Sequence, residues 1–134
     1  MKESELAVIT KSKELLLYIL SVTDKSPKKF RFTLVSRLQG YALDIVEYLY
    51  LANSIAIGEE SSLEELKERL DLQRKAMAKC RLLAYMSVIS RESVCITPKQ
   101  HKVIAEKLME VEKLLYAWRQ SDKKRIDDIR KKDV

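Results

Sequence analysis

The sequence predicts an all-α protein, an antiparallel up-down four-helix bundle. Three observations carry that prediction. Two glycines and two prolines in 134 residues leave too little turn chemistry for a sandwich or barrel, which turns every 8 to 12 residues or so. Apolar residues recur in alternating steps of three and four, the spacing of one helix face. Both prolines follow a hydroxyl residue, in Ser26-Pro27 and Thr97-Pro98. That order reads as an N-cap and a first helical position, where the missing proline N–H costs nothing.

The punctuation sets four helices at about 3–23, 27–57, 62–90 and 98–127, with a charged tail at 128–134 expected to fray. The first runs from the acidic start Met1-Lys2-Glu3-Ser4-Glu5 through Leu15-Leu16-Leu17-Tyr18. The second opens at Ser26-Pro27 and carries the stripe Leu34, Leu38, Tyr41, Ile45, Tyr48, Ala52, Ile55; Gly58 reads as its stop. The third opens with the capping-box spacing Ser62-Leu63-Glu64-Glu65 and carries Leu63, Leu66, Leu70, Gln73, Met77, Cys80, Ala84. The fourth opens with a second box, Thr97-Pro98-Lys99-Gln100, and carries Ile104, Leu108, Val111, Leu115, Trp118. Short connections between long helices make neighbours antiparallel, and the length suits a single domain over 1–134.

The second helix holds more apolar surface than one seam can bury. Leu43, Val46, Tyr50 and Leu51 lie beside its stripe, and large exposed apolar patches mark interfaces. A homo-oligomer is expected, with these four residues in its interface.

A formal charge of +6 and a pI near 9.3 favour polyanionic partners. Two cysteines cannot build a disulfide framework and read as reduced thiols. The acidic N-terminus does not resemble a signal peptide, and the run Leu15 to Leu20 is too short for a membrane span. A cytoplasmic protein is expected.

Little in the chain points to catalysis. His101 is the single histidine and reads as a solvated residue of the fourth helix. Cys80 reads as a small core residue and Cys95 as a loop thiol. Glu64-Glu65 and Asp127-Asp128 are sequence neighbours that point about 100° apart on a helix. No Glu precedes His101 by three residues, and Gly40 and Gly58 stand alone where a phosphate loop needs several glycines. No enzyme activity, cofactor or metal is expected.

The cations are a different matter, because up-down connectivity collects them. One end of the bundle receives Lys25, Lys28, Lys29, Arg31, Arg37, Arg81, Arg91, Lys99 and Lys102 against Asp24 and Glu92. The other end receives Glu3, Glu5, Glu59, Glu60, Glu64 and Glu65. Lys28, Lys29, Lys99 and Lys102 crowd the first turns of two helices, where the macrodipole disfavours cations. A second strip, Lys67, Arg74 and Arg81 with Lys75 and Lys79, runs along the third helix and suits a phosphate backbone. The competing explanation is an ordinary solvated basic surface.

At Pro27-Lys28-Lys29-Phe30-Arg31-Phe32, the apolar helix ending near Asn53, the Ile96-Thr97-Pro98-Lys99-Gln100 start and Trp118, the chain resembles the small four-helix-bundle proteins. Within that group it is most similar to the accessory variability determinant of diversity-generating retroelements. A sister branch, encoded in intervening sequences of ribosomal RNA genes, carries a Gln-x-x-Arg-Ala segment and an Ile-Ala-Glu-Gly-like end of helix two. Ser36-Arg37-Leu38-Gln39-Gly40-Tyr41 and Ala52-Asn53-Ser54-Ile55-Ala56-Ile57-Gly58 fit that pattern poorly. The resemblance implies a basic homopentameric barrel that partners a reverse transcriptase and its template RNA without catalysis of its own. The alternative is an oligomeric protein–protein scaffold of the intervening-sequence type, with no nucleic-acid role.

Overall fold

The computed structural model describes residues 3–132, with side chains over 7–132. Its helices are α1 (Glu3–Thr23), α2 (Leu34–Ser54), α3 (Leu63–Glu92) and α4 (Pro98–Lys132), with a single 3-10 turn at Lys28–Phe30 before α2. There is no strand among the described residues. Each helix packs on its neighbours in sequence, and α4 closes the square against α1. Lys11 meets Glu110 at 3.5 Å across α1 and α4, and Lys79 meets Asp44 at 3.1 Å across α3 and α2.

The core is a set of heptad seams. On α2 the buried residues are Val35, Leu38, Ala42, Ile45, Leu49 and Ala52. The expected stripe shared Leu38, Ile45 and Ala52 but took Leu34, Tyr41 and Tyr48 where Val35, Ala42 and Leu49 are buried. Tyrosine explains part of the difference, since its hydroxyl favours a half-wet flank; Tyr41 and Tyr48 pack half-buried against the core. On α3 the buried face is Leu66, Arg69, Gln73, Ala76, Cys80, Leu83, Ser87 and Ser90. Leu63, Leu70, Met77 and Ala84 fall off it. The α4 stripe is as expected and continues through Asp122 and Ile126.

The helix ends correct several boundaries. The hydroxyl of Ser26 does not cap a helix; it donates to the Cys95 carbonyl at 2.8 Å. Pro27 therefore opens only a 3-10 turn, and α2 starts seven residues later than Pro27, at Leu34. α2 also stops at Ser54, before Gly58, whose N–H accepts no helical role and donates to Ser61 Oγ at 3.0 Å. Both expected capping boxes form. Ser62 Oγ accepts from Glu65 N–H at 3.1 Å, with the Glu65 carboxylate returning to Ser62 N–H at 3.1 Å. Thr97 Oγ1 accepts from Gln100 N–H at 3.0 Å, and Gln100 Oε1 accepts from Thr97 N–H at 2.9 Å.

α4 does not fray at 128 but runs through Lys132; residues 133 and 134, like Met1 and Lys2, lie outside the described residues. The Arg69 to Asp122 and Lys132 to Glu59 pairs hold the last turns of α4 along the start of α3.

Candidate nucleic-acid interface

The end of α1, the 3-10 turn, the end of α3 and the start of α4 meet at one end of the bundle. The Ser26 to Cys95 hydrogen bond ties the first connection to the last. Gln39 Nε2 donates to Thr23 Oγ1 at 2.9 Å, fixing the start of α2 against the end of α1. Two clefts of about 300 and 350 Å³ open on either side of Ser26-Pro27, one bordered by Lys28 and Arg31, the other by Lys25 and Thr97.

Eight of the expected basic residues belong to this end: Lys25, Lys28, Lys29, Arg31, Arg37, Arg91, Lys99 and Lys102. All are exposed except Arg91, which is half-buried. Among the described residues none of the eight forms an ion pair. Lys29 lies over the Phe30 ring, 5.1 Å from its centroid, while Phe32 projects almost fully into solvent at 86% exposure. Arg91 has a structural role as well, since it stands in the last turn of α3, where the helix dipole favours a cation. Lys28 and Lys29 precede α2 rather than occupying its first turn, so the macrodipole argument holds for Lys99 and Lys102 alone.

Arg81 does not belong to this end. It stands eleven residues before the end of α3, about 16 Å along the axis at 1.5 Å per residue. The strip expected along α3 is partly neutralised too. Arg74 and Lys75 both engage Asp71, at 2.8 and 3.4 Å. Lys79 pairs with Asp44 and covers the Tyr41 ring at 5.0 Å. Lys67 and Arg81 are exposed.

The groups with nucleophile or ligand chemistry are inward-turned. Cys80 is fully buried, and burial pushes its thiol up to about 12, with Glu112 adding to the shift. Cys95, expected as an open loop thiol, is only 3% exposed, and burial raises it as well. His101 is half-buried rather than solvated, and its Nδ1 shares a 2.8 Å hydrogen bond with Ser87 Oγ. Desolvation, then the charge of Arg91, holds it below the usual histidine range. Among the described residues no group of three His, Cys, Asp or Glu could hold a metal ion, and no helix is long and apolar enough to cross a membrane.

A polar cluster at the opposite end went unforeseen. Arg69, 3% exposed, donates to Asp122 through Nε at 2.7 Å and Nη2 at 3.1 Å, and to the Ile55 carbonyl through Nη1 at 2.5 Å. Gln73 adds a 2.6 Å bond to the same carboxylate. Ile55 is the residue after α2, so this guanidinium joins three helices.

The expected interface residues divide. Leu43, Tyr50 and Leu51 are exposed at 51, 67 and 41%, and on α1, which packs against α2, Leu17 and Leu20 are exposed as well. Val46 is half-buried. No family model and no curated protein matches the chain.

Proposed function

We propose that this chain is a non-catalytic basic accessory protein that binds the phosphate backbone of RNA or DNA through one end of its bundle. By its resemblance, it serves a reverse transcriptase in a diversity-generating retroelement, as a cytoplasmic homo-oligomer with five copies. The observation that carries the reading is the gathering, from four chain segments at a single end, of eight cations with no ion pair among the described residues. Apart from Arg91 at the end of α3, none of them meets the kind of partner that marks a charge serving the fold, as the carboxylates facing Lys79 and Arg74 do.

Counterion release makes such binding steeply salt-dependent. Purified protein should retain RNA at about 50 mM salt and release it by about 200 mM, as six or more phosphate contacts require. Retention that ignores salt overturns the proposal.

The exposed apolar face of α1 and α2 favours a second reading, an oligomeric scaffold that binds protein alone. Replacing Lys28, Lys29, Lys99 and Lys102 by Glu separates the two. Nucleic-acid retention is lost under the first, whereas assembly and protein-partner capture are unchanged under the second.

A further inference from the structure

Between α3 and α4, away from the basic end, lies a cleft of about 340 Å³. Its apolar lining is half-buried Met77 with Ala78 and Tyr116, both exposed, the tyrosine at 61%. Three guanidiniums border it, Arg74 and Arg81 from α3 and Arg119 from α4. Arg74 is committed to Asp71, through Nε at 3.1 Å and Nη2 at 2.8 Å. Arg81 and Arg119 form no ion pair among the described residues. The Arg119 Nε is moreover buried with no hydrogen-bond partner, a costly state for a charged donor. Among the described residues no carboxylate lines the cleft. Asp122, one turn beyond Arg119 on α4, is committed to Arg69 at 2.7 Å.

We propose that this cleft binds a small phosphate monoester that also carries a flat aromatic ring. Two uncompensated guanidiniums match a dianion in charge, and the planar fork of arginine matches phosphate oxygens two at a time. A carboxylate would satisfy only one of them. The Met77 thioether offers the ring an apolar contact and the Tyr116 side chain a stacking surface. The cleft's volume lies at the small end of ligand pockets. The site shares no residue with the eight cations of the basic end, so the proposal stands apart from RNA retention there.

Calorimetric titration of the full chain with adenosine monophosphate, ribose 5-phosphate and adenosine tests it. Adenosine monophosphate should saturate one site per chain with a Kd below about 1 mM, and each of the other two should bind at least tenfold more weakly. Arg119→Met and Arg81→Met should each weaken adenosine monophosphate tenfold or more with helicity unchanged by circular dichroism. Arg119→Lys, which keeps the charge and loses the fork, should weaken it as well and serves if the methionine variants misfold. The fourfold Glu variant at Lys28, Lys29, Lys99 and Lys102 should bind it within twofold of the parent. Absence of saturation, binding that survives loss of both arginines, or binding abolished by the basic-end variant overturns the proposal. Equal binding of adenosine removes the anion from it, and equal binding of ribose 5-phosphate removes the ring; either result also overturns it.

Discussion

Arg69 can sit on the buried face of α3 because Asp122, the Ile55 carbonyl and the Trp118 ring, 5.1 Å away, divide its charge. Breaking one side of a buried pair leaves an uncompensated charge, which costs about 3–5 kcal/mol. Asp122→Ala should lower unfolding free energy by that amount in urea titrations, while the double change Arg69→Met with Asp122→Leu should cost far less. A seam chosen by hydrophobicity passes over Arg69 in favour of Leu70. The legible clue lay in pairs four apart, Arg69 with Gln73 and Trp118 with Asp122, on matching tracks of facing helices.

His101 gives a pH prediction at the same scale. Its folded-state pKa lies below its ordinary value of 6.5, so folding favours the neutral ring. The associated stability is fully present above about 6.5 and is lost as pH falls through the lower folded value. His101→Gln should flatten that acid-side decline, read as urea midpoints on either side of pH 6.5. The two cysteines, buried and shifted upward, should resist thiol reagents in the native state and react only on unfolding.

At the level of elements, the capping boxes were legible because their residues serve local partners. Thr97→Ala should cost about 0.5–2 kcal/mol. Ser26-Pro27 has the same local form and a different outcome, since the Ser26 hydroxyl is taken by Cys95, 69 residues away in sequence. No local rule contains that competitor. The end of α3 was hidden for another reason. Cys95 N–H reaches the Ser90 carbonyl at 2.8 Å and Val94 N–H reaches that of Arg91 at 3.1 Å, the pair of bonds that defines a Schellman motif. The residue between, Val94, holds φ at 62°, a left-handed conformation that glycine normally supplies and a β-branched side chain resists. Its side chain is 76% exposed, so little packing offsets the strain. Val94→Gly should therefore raise stability by about 1 kcal/mol, measured as an upward shift in thermal midpoint.

For the molecule as a whole, the four-helix architecture followed from spacing and punctuation, but the allocation of surface did not. Surplus apolar residues on α2 were visible in the sequence; which of them the bundle itself absorbs depends on where α1 lies. Val46 turns partly inward, whereas Leu43 and Tyr50 stay out with Leu17 and Leu20 of α1. A substitution at Val46 would thus damage packing and assembly together. Leu43→Glu with Tyr50→Glu touches only exposed positions and is the cleaner probe of association. Each large apolar side chain buried between copies contributes roughly 1.5–3 kcal/mol, so several repeated around an interface can exceed the entropic cost of joining copies. Light scattering coupled to size exclusion should find the parent oligomeric at micromolar concentration and the double variant shifted to monomer, with helicity retained. A parent that is already monomeric would mean that this face stays in water as a single chain.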